Sequence, residues 1–338
     1  MEYGRIIKRA LEVTWRYKAL WIFGIAATLF GGGLKGSPGG GGQGLQYTFG
    51  GQDWERWRRT MPYMPYGPWG GVPSWESLLP IMLGILGVLF IVMLFLFLVG
   101  IVVRYTSLGA LIGMVDEVEQ EGETRFQSGL HIGWNRFLRL FAIDLIIGIV
   151  LAVLIALLIL VLILGGLMAA APIAFWGIKN AAGILIAVAV GLVLLLFLIA
   201  VVIALSAVLT LIREYAYRVC VLDKKGVFDA LGAGITLMQN HLRDSVLLWL
   251  LLVAINIALG MVAIPLFVVG GLGLVAPAIA VYSLTQSVGA AILAAIPLLL
   301  VMVGIAILIS GLYLIFRSAV WTLAFRELRS SEAAAEEA

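Results

Sequence analysis

The sequence predicts an all-α integral membrane protein, with six transmembrane helices in three hairpin-like repeats and a cytoplasmic amphipathic interfacial helix before each. Three observations carry this expectation. Hydrophobic residues make up 62% of the 338 and charged residues only 12%, against about 45–50% and about 25% in a soluble domain. The apolar residues fall in long continuous runs, which suits helices and excludes the alternating pattern of barrel strands. The basic residues then divide unevenly between the two ends of those runs. Disorder is excluded as well, since it needs low hydrophobicity and high charge.

The runs are 19–34, 78–103, 141–171, 183–212, 245–275 and 287–316. A spanning helix needs about 20 residues at 1.5 Å each to cross a core of about 30 Å. The first run is short, about 24 Å by the same rise. It reads as a retained span and not a signal peptide, because a long amphipathic basic segment precedes it and no A-x-A site follows. Asp144 is the sole charge within any run. With the N-terminus inside, 17 Lys and Arg residues lie on the inner side and five on the outer. That bias obeys the positive-inside rule and places both termini in the cytoplasm. The whole chain, 1–338, reads as one polytopic membrane domain.

The repeats show in the stretches that lead into spans. Aligning Trp15 with Trp134 brings Ile7 onto Phe126, Leu11 onto Leu130 and Val13 onto Ile132. Residues 227–249 have the same layout, with Asn240-His241-Leu242-Arg243 answering Asn135-Arg136-Phe137-Leu138. The even spans end alike, at Val103-Arg104-Tyr105, Ile212-Arg213-Glu214-Tyr215 and Phe316-Arg317-Ser318. Residues 1–18, 104–140 and 213–244 are therefore expected as cytoplasmic interfacial segments. In 5–18 the apolar stripe is Ile6, Ile7, Ala10, Leu11 and Thr14, with the basic residues mostly off it. Such a helix lies in the headgroup plane with its apolar face down. Candidate contacts to anionic inner-leaflet headgroups are Arg5, Lys8, Arg9, Arg136, Arg139 and Arg213.

This layout resembles uncharacterised six-helix bacterial membrane proteins, which are similar to the membrane domain fused to some glycerophosphoryl diester phosphodiesterases and to the YciC-like family. The residues that carry the resemblance are Ala10-Leu11-Glu12-Val13-Thr14-Trp15-Arg16, Arg213-Glu214-Tyr215-Ala216 and Val227-Phe228-Asp229-Ala230-Leu231. It covers most of the chain apart from the first outer loop and the tail. A soluble phosphodiesterase barrel would need an α/β region of about 250 residues, which has no counterpart here. The resemblance implies a membrane module of the bacterial cytoplasmic (inner) membrane without that enzyme activity.

Residues 35–77 form the one long extracytoplasmic loop. Its Gly-rich start reads as a flexible linker. Its second half crowds Trp54, Trp57, Tyr63, Tyr66, Trp69 and Trp75 among four prolines. Aromatic rings with polar tips suit the membrane–water interface or a protein partner, so these six are candidate partner-binding residues. The acidic tail, 330–338, reads as a frayed helix end or disorder.

No H-E-x-x-H, Walker loop or nucleophile elbow is present. Cys220 is the single cysteine, so no intrachain disulfide forms. No catalytic residue, cofactor, metal site or nucleic-acid partner is expected. The embedded polar residues are Asp144 and Asn256, with Ser206, Thr210 and Ser310. Asp144 is expected to pair with or snorkel toward Arg136 and Arg139. Gly109-x-x-x-Gly113 is a small-residue contact motif lying beyond the second span, and Pro265 and Pro297 are candidate kinks. The sequence favours a non-enzymatic scaffold or accessory subunit of a membrane assembly. A transporter or lipid-handling protein using the repeat interface is the alternative, and an intramembrane enzyme ranks last.

Overall fold

A computed structural model describes residues 2–30, 75–176 and 181–336. The described residues form eight helices and no strands: α1 (Tyr3–Arg16), α2 (Ala19–Phe30), α3 (Trp75–Glu121), α4 (Phe126–Trp176), α5 (Ala181–Leu222), α6 (Val227–Asn240), α7 (Leu242–Thr285) and α8 (Val288–Glu336). Five of them, α3, α4, α5, α7 and α8, are long and apolar enough to cross a membrane. The described part of the first expected span is α2, an apolar helix of 12 residues, or about 18 Å.

The long helices exceed what a bilayer requires. The 47 residues of α3 extend about 70 Å, more than twice the hydrocarbon thickness. The surplus continues without a break past the end at which Arg104 stands, the inner end in the orientation the sequence predicts. Segment 104–121 is the end of α3 and segment 126–140 is the start of α4, so the expected interfacial pieces there are continuous with the spans. No proline interrupts 104–121, and the helix stops at Gly122, whose φ of +74° suits glycine as a left-handed terminator. Likewise α7 runs past the expected end of its span, through Pro277 to Thr285, and turns at Gln286.

Burial is concentrated at these inner ends. The core gathers Ile6, Ala10 and Val13 of α1, Leu111, Met114 and Val115 of α3, Tyr215, Ala216 and Cys220 of α5, and Ala319, Trp321 and Ala324 of α8. The outer halves instead carry exposed Leu, Ile, Val and Phe along every long helix. In α1 the expected stripe splits. Ile6, Ala10 and Thr14 are buried in protein and Ile7 is half-buried, while Leu11 faces outward. Helix α8, which packs along α1, thus provides cover that the sequence suggested lipid would give.

Helices α3 and α4 pack most extensively, followed by α5 with α6, α4 with α5, α7 with α8 and α2 with α3, while α1, α2 and α3 pack against α8. Glycines permit the tightest crossings. A Cβ on Gly133 would clash with the Thr106 carbonyl oxygen and the Ala110 nitrogen. A Cβ on Gly234 would approach the Ala216 nitrogen at 3.0 Å and the Ile212 oxygen at 3.3 Å. Gly24 of α2 and Gly311 of α8 meet in the same manner. Gly109 and Gly113 are also in use, against Gly133 and Ile132, although they lie beyond the span.

Candidate functional site

The polar groups at the inner ends of the spans form one layer. Arg104 stands on α3, Asp144 on α4, Arg213, Glu214 and Arg218 on α5, and Arg317 on α8. Residues four apart share a helix face. Arg213 and Tyr217 accordingly turn toward α4, and Glu214 and Arg218 turn toward α8.

Asp144 is the first node. Its Oδ2 accepts a hydrogen bond from the Tyr105 hydroxyl at 2.6 Å. Arg213 approaches Oδ1 at 3.5 Å and Arg104 approaches Oδ2 at 3.9 Å. The expected neighbours Arg136 and Arg139 are not the ones that pair with it. Arg139 reaches the carbonyl oxygens of Lys224 and Lys225 at 3.4 Å.

Glu214 is the second node. It accepts from Arg317 at 2.7 Å and from Arg218 at 2.9 Å. Arg218 has only 1% of its side chain exposed. It also donates to the Glu214 and Ser318 carbonyls and lies 5.9 Å from the centre of the Trp321 ring. A buried guanidinium is tolerable only when paired and hydrogen-bonded, and these contacts supply that. Tyr215 and Ser245 share a buried hydrogen bond at 2.7 Å, and Trp321 packs edge-on against Tyr215.

Further ion pairs lie toward the inner tip. Arg326 holds Asp116 at 2.6 Å, Arg329 pairs with Asp223, and Arg9 holds Glu119 at 2.8 Å. The Tyr3 hydroxyl donates to Asp244 at 2.6 Å. Burial, reinforced by that carboxylate, pushes the Tyr3 phenol up to about 12. Helix α8 is thereby tied to α3 and α5, and α1 to α3 and α7.

The other sequence-derived candidates are dispersed. Arg5 is exposed and pairs with Glu2 at 3.3 Å, and Lys8 is exposed. Arg9 is half-buried in its pairs with Glu119 and Glu12, and Arg136 is half-buried on α4. Asn256 is half-buried on α7. Ser206 and Thr210 bond to carbonyls of their own helix. Trp54, Trp57, Tyr63, Tyr66 and Trp69 lie outside the described residues, as does the side chain of Trp75, the first residue of α3. The tail is helical through Glu336. The sequence reading missed Glu214, Arg218, Arg317 and Trp321 as a unit. The i, i+4 pair Glu214–Arg218 after an apolar run was the available signal.

A cavity of about 180 Å³ lies between α4 and α5 and is lined wholly by aliphatic side chains, from Leu151 to Val161 and from Leu198 to Leu205. A model described as "Family of unknown function (DUF7544)" matches residues 15–328. That description names neither a phosphodiesterase membrane domain nor YciC-like proteins. No curated protein and no solved structure matches the chain.

Proposed function

We propose that this chain, which belongs to the family of unknown function DUF7544, is a non-enzymatic integral membrane scaffold or accessory subunit. Its working surface is the aromatic outer loop, held by a rigid inner body. The observation that carries this reading is how the polar side chains are used. At the inner ends of the spans the carboxylates are engaged by arginines or tyrosines of neighbouring helices. At depth the cavity between α4 and α5 is aliphatic. Chemistry needs a free acid–base or nucleophile–base pair, and transport needs polar groups near the midplane. Side chains committed to holding helices together serve a scaffold best.

The same reading takes six spans in three repeats, with α2 as the inner part of the first span. Support comes from the recurrent Arg at the end of each even span and from the matching glycine crossings at Gly133 and Gly234. It places the protein in a bacterial cytoplasmic membrane with both termini inside. The likeness to the phosphodiesterase-associated membrane domain fits a module that accompanies other proteins. Transport or lipid handling is the second reading. It is favoured by Pro265, Pro277 and Pro297 within α7 and α8, which can open backbone sites.

The test is purification in native-like lipid with quantitative identification of what co-purifies, for the wild type and for Trp69→Ala with Trp75→Ala. A stoichiometric partner that is lost in the variant, while the helical body stays folded, supports the scaffold. Solute flux in proteoliposomes that tolerates the loop changes but fails on altering Asn256 or Pro265 supports transport instead.

A further inference from the structure

We infer that Arg104, Arg213 and Arg317 form a binding site for the phosphate group of an anionic ligand at the inner boundary of the spans. The site goes beyond the scaffold reading and would exist whether or not that reading holds.

The first argument is charge. Arg104, Arg213, Arg218 and Arg317 share a single layer with two carboxylates, Asp144 and Glu214. Four guanidinium groups against two carboxylates leave an excess of two positive charges. Each of the three boundary arginines directly follows an apolar run. Uncompensated charge at that depth is costly and calls for a counter-charge or a path to water. The chain supplies no third carboxylate among the described ion pairs of this layer.

The second argument is donor capacity. Arg218 is enclosed, with its terminal nitrogens on Glu214 and the Ser318 carbonyl, whereas the other three are partly open. Arg104, Arg213 and Arg317 keep 36%, 32% and 25% of their side chains exposed. Arg104 stands 3.9 Å from Asp144 and Arg213 stands 3.5 Å from it, both longer than an ordinary charge-assisted hydrogen bond. Each guanidinium carries five N–H donors in a planar fork that matches phosphate geometry. Two arginines are loosely held on one carboxylate, the Arg213 Nε has no partner among the described residues, and the third arginine sits on Glu214, the residue next to Arg213.

The level of these arginines in the membrane decides the chemistry. The three come one from each hairpin, α3, α5 and α8, and stand where hydrocarbon gives way to headgroups. A phosphodiester headgroup of an anionic lipid and a free phosphate offer the same oxygens, so the experiment must separate the two sources.

The full-length protein is reconstituted in nanodiscs of phosphatidylcholine, alone or with phosphatidylglycerol, and bound lipid is counted by native mass spectrometry after release. The expected result is saturable retention of about one phosphatidylglycerol per chain. At about one unit of interaction per juxtamembrane charge, Arg104→Gln with Arg317→Gln should weaken retention about thirty-fold. Lys18→Gln with Lys225→Gln, two exposed charges outside the layer, should leave it unchanged. Inorganic phosphate titrated into phosphatidylcholine-only discs identifies a soluble ligand if it binds with the same dependence on Arg104 and Arg317. If the double variant does not fold, the wild-type stoichiometry decides. Neither lipid nor phosphate bound by the wild type, or equal loss in both double variants, overturns the site.

Discussion

The inner and outer halves of the long helices obey different rules. In the inner half Leu111 is fully buried, and glycines bring backbones into contact. In the outer half Leu89 on the same helix is 58% exposed and Gly84 has open space around it. One continuous helix is thus buried in protein along one part and leaves an apolar surface exposed along another, long enough to cross a membrane. Burial from water drives both halves, but only the inner half needs complementary shape. In lipid an exposed leucine costs nothing, so composition alone suffices there. In the core each volume and charge has a specific neighbour.

This contrast is open to direct attack. The largest effect is expected at the crossing of α3 and α4. Gly133→Val should abolish folded protein, because backbone already occupies the space, whereas Gly84→Ala should change stability by no more than about 1 kcal/mol. Monodispersity by fluorescence-detected chromatography reads both. A normal profile for Gly133→Val would show that the crossing is not tight.

Next comes the charge layer. Glu214→Gln leaves Arg218 buried without its carboxylate. The expected loss is about 3–5 kcal/mol, seen as a lower unfolding midpoint in detergent. A variant as stable as wild type would mean that Arg218 reaches water. Leu111→Ala should then cost about 2–5 kcal/mol, against less than about 0.5 kcal/mol for Leu89→Ala. Equal costs would erase the distinction between the halves. The smallest effect belongs to the rim. Arg9→Gln removes a partly exposed pair with Glu119 and should cost about 0.2–1 kcal/mol, less at high salt. A salt-independent loss would place that pair inside the core.

The same contrast explains what could be read in the sequence. The outer halves announce themselves, because a run such as 78–103 contains no charge and lipid asks nothing further of it. The inner core is built from stretches that read as surface. The stripe of α1 shows that one face is apolar, but not whether lipid or α8 covers it. Asp144 has Arg136 and Arg139 near it in sequence, yet its ion-pair partners Arg104 and Arg213 come from other helices. Arg218 looks like an ordinary boundary charge until Trp321 and Glu214 enclose it. Gly109 and Gly113 fit a known contact pattern, but their value lies in a partner, Gly133, that no local pattern identifies. The recurrent Arg after each even span was visible. That three of them converge on two carboxylates was not, since convergence depends on how the hairpins close.

The most direct test of this division is the side of the membrane on which the charge-paired core lies. In a Cys220→Ala background, single cysteines at Ser37, Ser128 and Ser330 are treated in intact cells with an impermeant thiol reagent. Ser37→Cys should label from outside, while Ser128→Cys and Ser330→Cys should label only after the membrane is opened. Labelling of Ser128→Cys or Ser330→Cys in intact cells would contradict an inward-facing core.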